Sequence, residues 1–391
     1  MKRLSLLLFA AALVAPRMAQ AQGLTMQMGN GWKFTFAGNV NVFWVFTSDE
    51  NGPSNSSVRT GLLPAFATFA ATGKEAGLDL GVHVGFGNQI QNNNGAHDQF
   101  GTQIDLRQVF LTIGFKGGSQ ILAGRELGLY QRQNILNDMT LFGVGAVGGP
   151  QGGGTTLGRI GYGYIYPNFN AQITYSSPAK NPVQFSVGAF QPAVMGDATA
   201  GDPTTALFAE TQLPRLEAEV TWNRSTGSSK WLVWVGGQWQ KAEDAAGASV
   251  NGTGVTAGVR GSFSDLTVVV AAYTAKGTGT ALAFFGDELA GDDSERPSDG
   301  GYAQATYKSG KTTFGLSYGI SRLKGTTSGD GTDASIGEVS SWTGGVYHQW
   351  TKSLKLVGEV TRERNDLSGA QAVLGGLPNR TDVSAGFMLF F

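Results

Sequence analysis

Between Trp32 and Phe46 the chain reads WKFTFAGNVNVFWVF. The even positions, Trp32, Phe34, Phe36, Val40, Val42, Trp44 and Phe46, are large and apolar, with Gly38 the one exception. The odd positions open with Lys33, Thr35, Ala37, Asn39 and Asn41. Successive side chains of a strand point to opposite faces, so this pattern describes a strand that is aromatic on one side and polar on the other. It is also far longer than the ~5–6 residues usual for a strand in a soluble sheet. An environment with lipid on one face and water on the other rewards such a strand. In lipid every backbone polar group must be satisfied internally, so strands cross only as a closed barrel.

The same period recurs along the chain. Leu78, Leu80, Val82, Val84 and Phe86 alternate with Asp79, Gly81, His83 and Gly85. Leu216, Ala218, Val220 and Trp222 alternate with Glu217, Glu219, Thr221 and Asn223, and Val255 to Phe263 alternates in the same way with Thr256, Gly258, Arg260 and Ser262. Connections between such segments switch between short and long. Short ones include Thr72 to Gly77, Lys116 to Ser119, Ser264-Asp265 and Ser309-Gly310. Long polar ones include Asn88 to Gly101, Glu126 to Leu157, Gln191 to Pro214 and Gly277 to Ser298. A soluble sandwich has no reason to sort its loops, whereas an outer-membrane barrel has short periplasmic turns and long outer loops. The expected fold is therefore all-β, a transmembrane antiparallel barrel of about sixteen strands. Arg159 to Tyr166 and Ala171 to Ser177 are taken as one long strand interrupted at Pro167-Asn168, because two strands would spoil the alternation of loops.

The N-terminus fits export. Met1-Lys2-Arg3 is basic, Leu4 to Val14 is apolar but too short to span a bilayer, and Ala19-Gln20-Ala21 suits signal peptidase. Residues 1–21 are thus read as a signal peptide and 22–391 as the barrel. The chain has no cysteine, which excludes a disulfide framework and thiolate metal sites. Of 28 basic residues, Lys2, Arg3 and Arg17 lie in the leader, leaving 25 against 29 acids and a mature charge of −4. Such a balance disfavours a nucleic-acid partner.

Three stretches carry a family likeness. Asp105 to Glu126 (DLRQVFLTIGFKGGSQILAGRE), Ile173 to Phe190 (ITYSSPAKNPVQFSVGAF) and the terminal Phe391 with Leu389 and Phe387 on its face resemble the Gram-negative general porin family. That resemblance implies a trimeric sixteen-stranded barrel in the outer membrane, a third loop folded inward, and a last strand read by the barrel insertion machinery. The chain departs from the family at the tip of this loop, where an acidic motif is replaced by QNILNDMTLFGVG, Gln133 to Gly145.

A porin works physically, through a water-filled lumen narrowed by its inward loop and lined by charge. The candidate basic wall is Arg59, Arg107, Arg125 and Arg159. Glu126, Arg132 and Asp138 are the candidate loop charges. His83, Glu217, Glu219, Arg260, Gln304, Lys355, Glu359 and Glu363 share the polar parity and are expected to line the lumen. Trp and Tyr near strand ends (Trp32, Tyr162, Tyr164, Tyr166, Trp231, Trp239, Trp342, Trp350) suit the interfacial girdles. Gly158, Gly161 and Gly163 either let the loop or a neighbouring subunit approach closely or relieve sheet curvature, and curvature is the reading taken. The acidic stretches Asp287 to Asp299 and Ser328 to Asp333 offer carboxylates for calcium or for divalent bridges to lipid phosphates but lack EF-hand spacing, and are read as solvated loops, with Ala281 to Phe285 folding back on another surface. No metal site, cofactor or catalytic residue is nominated: His83, His97 and His348 lack metal spacing, and no Gly-x-Ser-x-Gly elbow occurs. The expected function is passive diffusion of ions and small hydrophilic solutes, in contact with outer-membrane lipid and lipopolysaccharide. A substrate-selective porin for an organic acid, sugar or phosphate stands as the alternative within transport, and a barrel serving as adhesin or enzyme scaffold as the alternative outside it.

Overall fold

The computed structural model describes residues 23–29, 31–91, 104–148, 154–196, 208–326, 335–367 and 377–391. The proposed leader, the loop stretch 92–103 and the acidic stretch 328–333 lie outside these. The strands are β1 (Leu24–Gln27), β2 (Lys33–Asp49), β3 (Ser54–Arg59), β4 (Ala65–Glu75), β5 (Leu78–Asn88), β6 (Ile104–Gly114), β7 (Gln120–Leu127), β8 (Phe169–Ser176) and β9 (Val183–Phe190). They continue as β10 (Arg215–Thr226), β11 (Ser229–Glu243), β12 (Ser249–Phe263), β13 (Leu266–Lys276), β14 (Pro297–Ser309), β15 (Thr312–Lys324), β16 (Ser335–Gln349), β17 (Leu354–Leu367) and β18 (Arg380–Phe390). All belong to one antiparallel sheet that closes where β18 pairs β2, Val383 opposite Phe46 and Leu389 opposite Val40.

Two wall strands are composite. The upper half of β2 pairs β3 and its lower half pairs β4, so these two segments form one strand broken at residues 60–64. On the other side β18 pairs Asn39–Asp49 and β1 pairs Lys33–Phe36, so the chain's two ends complete one strand between them. Counted this way the barrel has sixteen strands. Phe391 seals the junction: its backbone exchanges hydrogen bonds of 2.9 and 3.0 Å with Gly38, and its ring lies 5.2 Å from that of Phe36.

Tight turns gather at one end. β4 and β5 are joined by Ala76-Gly77, both at positive φ (49° and 81°), the geometry whose twist matches a two-residue hairpin. The long connections lie at the other end, following β2, β5, β7, β9, β11, β13, β15 and β17.

Register fixes the faces. On β2, Val40 and Trp44 are exposed outward, whereas Asn39, Asn41, Phe43, Val45 and Thr47 are buried inward. Phe387 and Leu389 on β18 likewise face outward, as do Trp231, Trp342 and Trp350. Tyr162 and Tyr164 correct the girdle assignment: both are fully buried inside the barrel. The interrupted strand is corrected too. Only Phe169–Ser176 joins the wall, between β7 and β9; Arg159–Tyr166 makes isolated bridges, Ile160 with Tyr164 and Tyr166 with Leu282, and runs inside the lumen. Positive φ at Gly158 (59°), Gly161 (76°) and Gly163 (146°) breaks the extended path that alternation alone suggested.

The face assignment has a direct test. Val270→Arg, on the outward face of β13, is expected to cost ~2–4 kcal/mol at mid-depth, while Thr306→Arg on the inward face of β14 costs clearly less. Urea unfolding of both variants in lipid reads the difference.

Candidate functional site

The third long connection leaves β7 at Leu127 and rejoins the wall at Phe169. It carries a short helix α1 (Arg132–Asn137) and a 3-10 turn (Met139–Phe142). Its path follows the inner wall around most of the barrel. On β10, Glu217 Oε2 accepts the backbone N–H groups of Leu129 (2.7 Å) and Tyr130 (2.9 Å). On β11 and β12, Trp234 donates to Asn134 and Asn134 donates to Thr256. On β14, Gln304 accepts from the Met139 N–H and donates to the Asn137 carbonyl, and the Tyr302 hydroxyl donates to the Asn134 carbonyl.

The far end is fastened by the same chemistry. Glu359 Oε2 on β17 accepts the N–H groups of Val144 (2.7 Å) and Gly145 (2.8 Å). Glu363, four residues further along the same face of β17, accepts the Val147 N–H and the Tyr162 hydroxyl, each at 2.8 Å. The broken wall strand meets the loop here, since Leu62 N–H donates to the Gly143 carbonyl and Thr156 N–H donates to the Gly61 carbonyl. Asn41 and Asn39 supply side-chain amides to the carbonyls of Leu63 and Pro64, replacing ladder bonds lost at the break.

The returning arm sits behind this. Arg159 is fully buried and donates to the hydroxyls and carbonyls of Ser317 on β15 and Ser341 on β16. Gly158 allows the contact: at φ 59° its missing side chain would collide with Leu62 and Thr140. Gly319 on β15 leaves room for the Tyr162 carbonyl in the same way. Gly158 thus serves the loop's close approach, the alternative to the curvature reading.

A model of the Gram-negative porin family matches residues 8–368. The chain belongs to that family. It is an outer-membrane β-barrel channel for the diffusion of solutes. Solved structures share the fold at low identity. The outer-membrane channel DcaP of Acinetobacter baumannii superimposes with a TM-score of 0.64 at 14% identity, over 94% of this chain and 99% of that one. An anion-selective porin from Comamonas acidovorans gives 0.64 at 16% identity, over 92% and 100%. OmpF of Salmonella typhi, in complex with daunomycin, gives 0.61 at 12% identity, over 94% and 100%. No curated protein sequence matches.

The residues nominated for this porin's constriction fall into distinct places. Arg125 is exposed on the outer face, since it pairs Val109 and Ala171 and shares the parity of Ala123 and Ile121; it is removed from the basic wall. Arg59 points inward but is buried, donating to the Gly154 carbonyl at 3.1 Å. With Arg159 it anchors loop backbone, so neither guanidinium faces open water. Arg107 is inward and half-buried, paired with Asp105 at 2.8 Å and donating to the Tyr166 hydroxyl at 3.0 Å.

The expected loop acids do not project into a channel. Glu126 is buried and accepts from Gln108 and from the Leu127 N–H. Asp138 is buried and accepts from Thr140 and from the Tyr164 hydroxyl at 2.8 Å. Burial raises the Asp138 carboxyl above its ordinary range, with Arg159 nearby opposing the shift. Arg132 remains half-buried, in an ion pair of 2.6 Å with Glu219. The inward parity of His83, Glu217, Glu219, Arg260, Gln304, Lys355, Glu359 and Glu363 matches the register throughout. Period-two patterning gave the direction of Glu217, Glu359 and Glu363, but no local signal marks them as acceptors for a distant loop.

The sixth connection, after β13, folds inward as well. Ala281 and Phe284 are buried as the apolar patch suggested, but Asp287, Glu288 and Arg296 are buried too, so this part is no solvated loop. Desolvation, with Glu288 beside it, pushes the Asp287 carboxyl up to about 7.

Two outcomes follow from the fastening. Glu359→Ala leaves two loop N–H groups without their acceptor, at about 1–3 kcal/mol each. Hydrogen exchange of the Val144 and Gly145 amides should accelerate at least about tenfold while the wall strands stay protected. Asp287, with its raised folded-state value, keeps its proton where an unfolded carboxyl has lost it. Stability from it is therefore fullest below about pH 4 and is lost as pH rises through about 7. After correction for intrinsic rates, amides of Thr280 and Gly286 should exchange faster at about pH 8 than at about pH 5, and Asp287→Asn should remove that difference.

Proposed function

We propose that this porin is a passive channel for ions and small hydrophilic solutes whose limiting section is set by the third loop. Supporting this is one observation: the loop is fixed to the wall by buried carboxylates along its length, while Arg132, Gln133, Leu136 and Phe142 on it stay half-buried. A loop held at both ends and in the middle narrows a lumen without needing to move. Transport here is physical, with no bond made or broken, so the protein is read as no enzyme.

The working unit is a homotrimer, as the family likeness implies. Residues 1–21 are removed on export, the strand ending in Phe387, Leu389 and Phe391 addresses the insertion machinery, and the outward aromatic faces meet lipid and lipopolysaccharide. His83, Arg107, Arg132, Arg260 and Lys355 are the ionisable side chains assigned to the permeation path.

Single-channel recording of the purified protein in a planar bilayer tests the proposal. Stepwise conductances in groups of three are expected. A properly inserted barrel that passes no current would sink the diffusion-channel reading.

A further inference from the structure

Most charged side chains inside the barrel are buried, Arg59, Arg159, Arg215 and Arg380 among the bases. Glu126, Glu217, Glu219, Glu359 and Glu363 all point inward, and each is 5% exposed or less. Their oxygens are occupied by loop N–H groups, by Tyr162 and Tyr347 hydroxyls, by Gln108 and by Arg132 and Arg215. The inward bases Arg132, Arg260 and Lys355 keep part of their surface accessible. One stretch of loop passes all three. Arg132 begins it, Asn137 accepts from Arg260 at 2.8 Å, and Phe142 ends it beneath Lys355. These five carboxylates are thus taken up by hydrogen bonds and ion pairs, while Arg260 and Lys355 stay half-buried beside the loop.

Lys355 differs from the other two. Among the described residues no carboxylate lies within ion-pair distance of its ammonium. Its Nζ instead sits 4.2 Å from the centroid of the Phe142 ring and 5.9 Å from that of Phe390. Ring faces attract a cation through their quadrupole and hold it in place, yet they carry no net charge to neutralise it. The two rings also pack edge to face, centroids 6.1 Å apart, which fixes the platform. Loop and wall therefore meet at an oriented ammonium, unpaired with any carboxylate among the described residues, beside the half-buried ring of Phe142.

We propose that Lys355, with Phe142 and Phe390, forms an anion station in the channel that favours small organic carboxylates with an apolar body. The carboxylate meets Nζ while the body lies along the ring of Phe142. Low-dielectric walls focus the field of such a charge, and conduction needs sites of this kind to bind weakly enough to release. This inference rests on the diffusion-channel reading.

The test uses the full-length protein in a planar bilayer under a potassium chloride gradient. The wild-type reversal potential is expected to show anion preference, and benzoate should reduce the chloride current at lower concentration than acetate does. Benzylammonium, of the same shape and opposite charge, should not reduce it, a comparison that needs no variant. Lys355→Gln should move the reversal potential toward cation preference and raise the half-blocking benzoate concentration about fivefold, the size of one unit-charge contact in water. Lys355→Arg should retain both properties, and Phe142→Ala should bring benzoate to the level of acetate. A conducting wild type that prefers cations, or that benzoate and benzylammonium affect equally, overturns the station alone. An inserted wild type without current overturns the channel reading and the station with it.

Discussion

Every feature of this barrel depends on the closure of its backbone hydrogen bonds in lipid. An open edge would leave a row of N–H and C=O groups in hydrocarbon, so β18 must find β2 and the two chain ends must complete one strand. Phe391 sits at that seam, its backbone paired with Gly38 and its ring against Phe36. Once the wall is closed, the outward face is committed to apolar side chains. The inward face can then hold whatever the lumen requires.

What it holds is a loop. Buried carboxylates are costly unless their oxygens are hydrogen-bonded, and a loop crossing a lumen has many N–H groups without secondary-structure partners. Glu217, Glu359 and Glu363 answer both needs at once. The wall yields to the loop as well, because the strand formed by β3 and β4 breaks at residues 60–64 so that Gly61 and Leu62 can bond it. The consequence for permeation is electrostatic. Acids spent on structure cannot face the solute, while Lys355 rests on rings that leave its charge intact.

The fold was legible because its signal is local. Alternation in β2, β5, β10 and β12 reports the face of most residues directly, and the sorting of short and long connections reports the two ends of the barrel. Inward direction could be read for Glu217, Arg260, Lys355 and Glu359 on the same basis. The segment Arg159–Tyr166 misled for an instructive reason: RIGYGYIY alternates like a strand, but its glycines take positive φ and its tyrosines pack inside. Arg125 was placed on the basic wall although it shares the parity of Ala123 and Ile121, and the strand register puts it on the outer face with them.

The sequence by itself determined the sheet, its closure in a membrane and the side on which most wall residues lie, since a period of two needs only neighbours along the chain. The tertiary structure alone decided which inward charges remain available. Glu359 meets Val144 and Arg159 meets Ser341 across some two hundred residues of chain, and no local pattern encodes a contact over that separation. Charge in a pore is set by what each group is bonded to, and bonding across a lumen exists only once the barrel has closed around its loop.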